Sequence, residues 1–279
     1  MNRSAREETA ALLAAHNMPL SKLRGQHLLV DATHLSRIVS AARLGRDAVV
    51  LEVGPGTGLL TERLLQTGAR VTAIELDQRM ANLLAARFAG EPRFTLIVGD
   101  ALQVVGAYSR TPLHMPPGYV VVANLPYQIT TPLLWELVGP KRPLATLPAA
   151  VTVLVQKEVA ERMLARPPHM NMLALLMQTY GTGERIAVVP PGAFLPPPKV
   201  TSASVRFVAA PVQGRDRLLS LARAGFSAPR RTLAGNLVGG GVGDRVSVEA
   251  ALAAAGLPKG VRAERLSVAD WQRVAAALY

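Results

Sequence analysis

Cysteine is absent from the 279-residue sequence, and this absence excludes several kinds of chemistry. The chain has no disulfides, no cysteine ligands for zinc and no thiol nucleophile. Base modification by covalent attack of a cysteine on a pyrimidine ring is therefore excluded as well. The five histidines show neither the H-x₃-H nor the HExxH spacing of zinc sites, so we expect no metal ion.

Long apolar runs are also missing. No stretch reaches the roughly 18 consecutive apolar residues of a transmembrane helix. An N-terminus that carries Arg3, Arg6, Glu7 and Glu8 makes a poor signal peptide. We therefore expect a cytoplasmic protein with no membrane partner. Almost half of the residues are apolar, enough for the core of one large domain and a small one.

Positive charge, by contrast, is in excess. The 31 lysines and arginines outnumber the 19 acidic residues, which gives a formal net charge of +12. Such a balance points to a polyanionic partner, although a charge that only aids solubility is the alternative. Lysine and arginine never occur in runs longer than two, so the charge is spread over a folded surface. No basic amphipathic helix of the kind that binds anionic membranes stands out.

Short apolar segments alternate with helical patterns along most of the chain. Strands are predicted at residues 48–53, 71–74, 94–98, 119–123, 149–155, 173–178, 185–189 and 202–208. Helices are predicted at residues 32–43, 59–66, 78–88, 157–166, 215–224, 231–238, 248–255 and 268–278. The alternation predicts an α/β fold, with a Rossmann-like, mostly parallel sheet covered by helices on both faces. We expect this sheet domain, with an N-terminal helix and basic loop, in residues 1–210 and a small helical domain in residues 211–279.

The tetrad Asn124-Leu125-Pro126-Tyr127 follows one of these strands and suits chemistry on an exocyclic amine. The amino nitrogen of adenine is a poor nucleophile because its lone pair is delocalised into the ring. Two carbonyl oxygens that accept its hydrogen bonds favour a pyramidal, more nucleophilic nitrogen, and Asn124 and Leu125 can supply them. Pro126 restricts Leu125, and Tyr127 offers a face on which an extruded base can stack. An ordinary turn at a strand end is the alternative.

A glycine-rich loop and two acidic residues follow the earlier strands. Gly54, Gly56 and Gly58 form a GxGxG run, which is neither the GxGxxG of dinucleotide binders nor a Walker loop. Glu75 can accept hydrogen bonds from both ribose hydroxyls of a bound nucleoside, and Asp100 can accept one from an adenine amino group. A sulfonium cofactor has no pyrophosphate and needs no third phosphate-binding glycine, which favours S-adenosylmethionine over NAD. Alternatively, each acidic residue only caps the helix that follows it.

With these features in this order, the chain resembles the ribosomal RNA small-subunit adenine dimethyltransferases of the KsgA type over essentially its whole length. The segments VVLEVGPGTGLL at 49–60 and VTAIELD at 71–77 are similar to that family's cofactor motifs. The blocks QKEVAERM at 156–163, PPGAFLPPPKV at 190–200 and RRTL at 230–233 are similar to its later motifs. Any one of these blocks is a weak signal, whereas the ordered set is highly specific.

The resemblance implies S-adenosylmethionine as the cofactor and a set of site residues. The implied cofactor contacts are Gln26, His27, Leu29, Gly54, Gly56, Gly58, Glu75, Asp100, Ala101 and Asn124. The implied catalytic residues are Asn124, Leu125, Pro126, Tyr127 and Phe194, the last as a second aromatic face opposite Tyr127. We expect RNA phosphates to be contacted by Lys22, Arg24, Arg223, Arg230 and Arg231.

The chain departs from the family's pattern in three places. It reads Gln-His-Leu-Leu at 26–29 where the family usually has Gln-Asn-Phe-Leu, although His27 can still donate a hydrogen bond. A Tyr-Gly pair common in the family is replaced around Met170-Asn171, and Pro229 stands where a third basic residue is usual. These changes affect the binding of cofactor and RNA rather than the chemistry at Asn124.

The implied activity is dimethylation of N6 on two neighbouring adenines in the 3′-terminal hairpin of 16S ribosomal RNA, within an immature small subunit and by a monomeric enzyme. Three other functions compete with it. A large-subunit (23S) ribosomal RNA adenine methyltransferase shares the site but usually reads Asn-Ile-Pro-Tyr, and a DNA adenine methyltransferase usually reads Asp/Asn-Pro-Pro-Tyr. A non-catalytic RNA-binding assembly factor would not need the intact loop, Glu75, Asp100 and Asn124.

Overall fold

The computed structural model describes residues 4–16, 18, 27–105, 113–140 and 146–279. The chain divides into two compact units, Met1–Ala160 with Glu184–Ala209, and Glu161–Gly183 with Ala210–Tyr279. The predicted domains, residues 1–210 and 211–279, differ from these units because residues 161–183 belong to the second unit. That the chain folds as two domains with this boundary stays a prediction. None of the helices in the described part of the chain is long and apolar enough to cross a membrane.

The secondary structure alternates strands and helices through the first unit and is mainly helical in the second. The strands are β1 (Leu28–Leu29), β2 (Val49–Val53), β3 (Arg70–Glu75), β4 (Phe94–Val98), β5 (Val120–Asn124), β6 (Ala150–Gln156), β7 (Gly181–Val189), β8 (Phe194–Leu195) and β9 (Ser202–Ala209). The helices are α1 (Ala5–Ala15), α2 (Ala32–Ala42), α3 (Leu59–Gln66), α4 (Gln78–Arg87), α5 (Ala101–Val105), α6 (Thr130–Val138), α7 (Lys157–Met163), α8 (Met172–Tyr180), α9 (Arg215–Gly225), α10 (Leu233–Gly239), α11 (Arg245–Ala254) and α12 (Val268–Leu278).

A seven-stranded sheet with the strand order β4-β3-β2-β5-β6-β9-β7 forms the centre of the first unit. The first five strands in this order, β4-β3-β2-β5-β6, are parallel to one another, and β9 is antiparallel to β6. The predicted mixed α/β fold with a mostly parallel sheet is thus confirmed. Because β2, β3 and β5 are parallel neighbours, their carboxyl ends at Val53, Glu75 and Asn124 lie along one edge, where ligands bind in such sheets.

The apolar residues of the strands and of one face of each covering helix bury the sheet. Leu35 and Ile38 of α2 and Leu64 of α3 join Val50 and Val71 of the sheet in one buried cluster. Helix α2 is amphipathic, because its opposite face carries Ser36, Arg37 and Ser40, which remain exposed. The buried face of α2 therefore packs on the sheet. Asp31 caps the start of α2, because its side chain accepts a 2.9 Å hydrogen bond from the backbone nitrogen of His34.

The strand predicted at residues 173–178 is wrong: this segment lies within helix α8. Asn171 caps the helix, its side-chain oxygen accepting a hydrogen bond from the backbone of Ala174 at 3.0 Å. Leucine, methionine and alanine, the main residues of α8, favour helices. Nearly all of α8 is buried, so its sequence lacks the polar face that identifies a helix, and a short apolar run alone does not distinguish helix from strand.

The second unit packs its helices around a buried tryptophan. The Trp271 ring is fully buried and lies 5.7 Å from the ring of Phe226, centroid to centroid. The Asn236 amide donates to the carbonyls of Gly225 at 2.6 Å and Ala228 at 3.0 Å. These two bonds hold the turn after α9, which carries exposed arginines at 230 and 231.

Candidate functional site

A cavity of about 230 Å³ opens at the carboxyl ends of β2, β3 and β5. The structure brings together there most of the residues predicted for the site. The predicted residues that line the cavity are His27, Gly54, Gly56, Glu75, Asp100, Ala101, Asn124, Leu125, Pro126 and Tyr127. Leu29, Gly58 and Phe194 do not line it. Gln26, Lys22 and Arg24 lie outside the described residues.

The glycine loop approaches the tetrad with its backbone. Gly54 has a φ of 68°, and a Cβ added there would come within 3.3 Å of the Pro126 ring. Gly56 has a φ of 59°, and a Cβ there would lie 2.5 Å from the Leu28 side chain. Both positions thus need glycine for their positive φ and for space. The result is a cavity floor made of bare backbone, as a closely bound cofactor requires.

Gly58 has a different role from the one predicted. It caps α3 with a φ of 84°, and a Cβ there would lie 2.7 Å from the Phe88 ring. Its missing side chain therefore makes room for the packing of α4 against the loop rather than for a ligand. Leu29 is likewise structural, because it is buried and pairs with Phe194 in the small β1–β8 sheet.

Glu75 is buried at the end of β3 and ties this strand to the glycine loop. One carboxylate oxygen accepts from the Gly56 backbone at 3.3 Å and the other from the Asp77 backbone at 2.9 Å. Burial raises the pKa of Glu75, and the two backbone hydrogen bonds oppose that rise. A carboxylate has about four acceptor positions, so both oxygens can still accept hydrogen bonds from the two hydroxyls of a ribose. Asp77, not Glu75, caps α4.

Asp100 does cap the next helix, and it also lines the cavity. Its side chain accepts from the backbone of Leu102 at 2.9 Å, at the start of α5. The remaining acceptor positions of the carboxylate are available to an amino group in the cavity. The capping alternative and the cofactor alternative are therefore compatible at this residue.

The amide of Asn124 has a defined orientation. Its nitrogen donates to the carbonyl of His27 at 2.9 Å. Because a carbonyl can only accept, the amide nitrogen must face it and Oδ1 must point the other way. No residue in the described ranges donates to Oδ1 or to the Leu125 carbonyl. Two acceptor groups at the cavity are thus left for a ligand that donates hydrogen bonds.

The Tyr127 ring is held at both its edge and its face. Its hydroxyl forms a 2.7 Å hydrogen bond with the hydroxyl of buried Ser202. The His27 ring is stacked on it, with the centroids 5.7 Å apart and the planes at 29°. His27 is in turn held by a 3.0 Å hydrogen bond between Nδ1 and the Pro196 carbonyl. Burial raises the pKa of Tyr127, which keeps the phenol protonated at neutral pH.

Phe194 was expected opposite Tyr127, but the structure places it elsewhere. Its side chain is fully buried in the cluster that contains Leu29 and Leu195, and it is a member of β8. Pairing of β8 with β1 keeps the ring on the core side. In this structure the aromatic ring that faces Tyr127 belongs to His27.

Several cavity residues were missed by sequence reasoning, and Leu76 is the most informative. It follows Glu75 directly, lines the cavity and is 70% exposed. An apolar side chain beside acceptors for ribose and amine hydrogen bonds can cover the flat face of a nucleobase. The available signal was an apolar residue between the two acidic residues Glu75 and Asp77.

A second buried carboxyl belongs to Glu52 of β2, which directly precedes Val53 of the cavity lining. It is 1% exposed and accepts a 2.7 Å hydrogen bond from the hydroxyl of Thr61. Burial raises the pKa of Glu52 to about 8; the Thr61 hydrogen bond opposes this rise and the charge of Glu75 adds to it. The side chain is therefore largely protonated at neutral pH, and Glu75 is the carboxyl of the pair that ionises first, because its charge contributes to the raised pKa of Glu52.

We expect Glu52→Gln to flatten the pH dependence of the free energy of unfolding. The unfolded carboxyl ionises near pH 4.5 and the folded one near pH 8. The stabilisation from this group is thus complete below pH 4.5 and is lost as the pH rises to about 8. The loss is about 1.4 kcal/mol per pH unit while only the folded state holds the proton. Denaturant titrations at several pH values between 4.5 and 8 measure the free energy of unfolding of both proteins. If this free energy changed equally with pH in the wild type and in Glu52→Gln, the prediction would be wrong.

The sequence of the chain matches those of known RNA-modifying proteins. Residues 20–278 match the family model described as ribosomal RNA adenine dimethylase. The chain is 44% identical to ribosomal RNA small subunit methyltransferase A of Synechococcus sp. (strain JA-3-3Ab), and the 266 aligned residues cover 91% of each chain. It is 38% identical to the protein of the same name from Dehalococcoides mccartyi (strain ATCC BAA-2266), over 94% of this chain and 89% of that one.

Solved structures resemble it along most of its length. A 23S rRNA methyltransferase, ErmE, matches with a TM-score of 0.68 and 28% identity, over 90% of this chain and 99% of ErmE. A dimethyladenosine transferase from Plasmodium falciparum matches with a TM-score of 0.69 and 26% identity, over 89% of this chain and 96% of that one. Both similarities extend well beyond the sheet that forms the cavity.

Proposed function

Because the chain belongs to the ribosomal RNA adenine dimethylase family, we propose that it transfers methyl groups from S-adenosylmethionine to N6 of two adjacent adenines in the 3′-terminal hairpin of 16S ribosomal RNA. The relatives named for the small subunit, at 36–44% identity, support this RNA rather than the large-subunit one. The cofactor and the class of enzyme follow from the family: the chain is an S-adenosylmethionine-dependent ribosomal RNA adenine methyltransferase.

The cavity fits this cofactor. Gly54 and Gly56 present backbone where a side chain would block the methionyl end, Glu75 has acceptor positions for the ribose hydroxyls, and Asp100 has them for the adenine amine. Leu76 and Ala101, which also line the cavity, would contact the adenine ring. When bound there, the sulfonium cofactor supplies an electrophilic methyl group.

The orientation of the Asn124 amide is the observation that carries the proposal. With its nitrogen bound to the His27 carbonyl, Oδ1 of Asn124 and the Leu125 carbonyl are the two acceptors that the tetrad offers at the cavity. An adenine N6 amino group has two hydrogens to donate to them. The bonds become stronger as positive charge develops on the nitrogen, so they stabilise the transition state more than the ground state. The excess proton then leaves to water, and no metal or covalent intermediate is needed.

Double methylation requires that the same cavity accept N6-methyladenine. The methylated amine has one hydrogen left, so one of the two acceptors suffices to hold it in the second round, after the cofactor is exchanged. The base would stack on the ring of Tyr127, which lines the cavity.

RNA binding is proposed for the basic surface of both units. In the second unit Arg223, Arg230 and Arg231 are exposed, and the chain from Val212 carries ten basic residues against five acidic ones. We propose that residues 211–279 form an RNA-docking domain and that Lys22 and Arg24 add phosphate contacts. A partly assembled small subunit, which brings several RNA helices together, would then be a better substrate than free RNA for a monomeric, cytoplasmic enzyme.

Labelled methyl transfer tests the function directly. The purified protein is offered a hairpin fragment, immature small subunits and large subunits, each with labelled S-adenosylmethionine. We expect N6,N6-dimethyladenine at two adjacent positions of small-subunit RNA, with the immature subunit as the best substrate. Transfer mainly to large-subunit RNA would replace the proposal with the 23S alternative, and no transfer to any RNA would favour a non-catalytic assembly factor.

The role of Glu75 predicts a smaller, specific effect on cofactor affinity. We expect Glu75→Gln to weaken S-adenosylmethionine binding by about 10-fold (~1.4 kcal/mol), because hydrogen bonds to a charged acceptor are stronger than those to a neutral amide. Isothermal calorimetry measures the change, with Glu91→Gln, which removes a surface ion pair with Arg93, as the control. Equal affinity in both variants would rule out a ribose contact at Glu75.

A further inference from the structure

A second concave surface in the first unit has the charge and the hydrogen-bond donors of a phosphate-binding groove. It lies between the outer face of α2 and the edge strand β7, and its volume is about 860 Å³. Arg37 of α2, Arg43 directly after this helix and Arg185 of β7 line it, and all three are exposed. None of its lining residues belongs to the catalytic cavity.

The three arginines of this groove are not used to balance acidic groups. Elsewhere in the described part of this unit, Arg79 pairs with Asp77 and Arg93 pairs with Glu91. No ion pair involves Arg37, Arg43 or Arg185 within the described residues, and Glu184, the acidic residue of the groove, makes none either. Their guanidinium groups are therefore available to an external anion.

Hydroxyl groups line the groove together with the arginines. Thr33, Ser36 and Ser40 lie on the same exposed face of α2, one turn apart, and line the groove. Ser36 accepts a 2.9 Å hydrogen bond from Arg63 of α3, which adds a fourth basic group beside the groove. Guanidinium groups and hydroxyls are the side chains that contact phosphate oxygens along a nucleic-acid backbone. None of the described residues that line the groove is aromatic, so the groove suits the backbone rather than bases.

The groove also begins close to the catalytic cavity along the chain. Leu28 lines the cavity and Ala32 lines the groove, and four Cα steps of 3.8 Å separate them by at most about 15 Å. A polynucleotide with one base in the cavity can therefore reach the groove with a neighbouring part of its backbone.

We propose that the groove between α2 and β7 binds the phosphate backbone of RNA that flanks the target adenines. The inference rests on the proposed function, since it takes ribosomal RNA as the ligand, and it adds a contact surface in the first unit to the docking role of residues 211–279. The groove aligns the RNA, and because its residues are outside the catalytic cavity it acts on affinity rather than on the chemical step.

The salt dependence of RNA affinity tests the groove. The triple variant Arg37→Gln, Arg43→Gln and Arg185→Gln is compared with Arg70→Gln, Arg79→Gln and Arg93→Gln, which removes the same charge from arginines outside both the groove and residues 211–279. Each lost phosphate contact lowers the slope of log affinity against log salt by about 0.7–0.9. We expect the groove variant to lose about two units of slope for immature small subunits and the control variant to lose less than one. Equal slopes would overturn the proposal.

Steady-state kinetics of the groove variant distinguish a failure of the groove from a failure of the proposed function. With saturating RNA and cofactor, the groove variant should retain the wild-type kcat and show a raised KM for RNA, with unchanged S-adenosylmethionine affinity. Failure of the wild-type protein to methylate small-subunit RNA would refute the proposed function, whereas wild-type methylation with an unaltered KM in the groove variant would refute only the groove.

The absence of cysteine allows a direct test of proximity. Ser40→Cys places a unique thiol in the groove, and Gln66→Cys places one on the exposed side of α3 outside it. A hydroxyl-radical probe attached to each thiol cleaves RNA that lies nearby. We expect the Ser40→Cys protein to cleave nucleotides flanking the target hairpin and the Gln66→Cys protein not to. Absence of cleavage from Ser40→Cys, or the same pattern from both, would overturn the proposal even if the arginine variants were poorly folded.

Discussion

Asn124→Ala is expected to lower the rate of methyl transfer by about 10²–10³-fold, the scale for losing one preorganised hydrogen-bonding group at a reacting centre. The physical reason is that the Asn124 amide is already oriented by the His27 carbonyl, so its oxygen needs no reorganisation when charge develops on the adenine nitrogen. Single-turnover assays with saturating cofactor and RNA measure the chemical step directly.

Two further variants make this prediction specific. Asn82→Ala removes an exposed amide from α4 and should leave the rate unchanged. Asn124→Asp keeps an acceptor but cannot donate to the His27 carbonyl, and a carboxylate facing a carbonyl is repelled, so it should also be strongly impaired. Retention of cofactor binding by Asn124→Ala, measured by calorimetry, separates a catalytic defect from misfolding. A normal rate in this variant would refute the mechanism.

The fold and the strand-end residues were predictable because the signals for them are local. Except for Glu52, the segment at 49–53 is apolar and mostly β-branched, and it ends at a glycine loop that a helix follows. Each of these features is encoded within a few neighbouring residues. Parallel strands bring their carboxyl ends to one edge of the sheet, so Glu75 and Asn124 could be placed together without knowing any contact between them. Helix α8 was predicted as a strand because it is buried on nearly all sides, so its sequence has no polar face that would show a helical period.

The finer structure of the site depends on contacts between distant parts of the chain. Phe194 is directed into the core by the pairing of two short strands that are more than 160 residues apart in the sequence, and no local pattern encodes that pairing. The stacking of His27 on Tyr127 and the bond from Asn124 to the His27 backbone are also long-range. The replacement of asparagine by histidine at position 27 was visible in the sequence, whereas its consequence required the fold.

These long-range contacts couple the two halves of the site. The backbone at Gly54 packs against the Pro126 ring, and the His27 carbonyl holds the Asn124 amide. The loop expected to bind the cofactor and the tetrad expected to bind the base therefore share the same supports. A change in the glycine loop should for this reason affect the base site as well as the cofactor site.

Tyr127→Ala is expected to reduce kcat/KM for RNA by about 5- to 150-fold, which corresponds to the ~1–3 kcal/mol that stacking of one base on an aromatic side chain contributes. Tyr127→Phe keeps the ring face and loses only the hydrogen bond to Ser202, so it should retain most of the activity. It should nevertheless lower the free energy of unfolding by about 1–3 kcal/mol, because the Ser202 hydroxyl is fully buried and would be left without this partner.

Comparing the two substitutions distinguishes a stacking role from a chemical role of the hydroxyl. The raised pKa of Tyr127 keeps the phenol neutral, so it does not act as a base at neutral pH, and the phenylalanine variant should show the wild-type pH profile. Ser202→Ala gives the matched control, since it removes the same hydrogen bond from the other side and leaves the ring intact. If Tyr127→Phe were as inactive as Tyr127→Ala while Ser202→Ala remained active, the hydroxyl itself would take part in the reaction and the stacking role would be wrong.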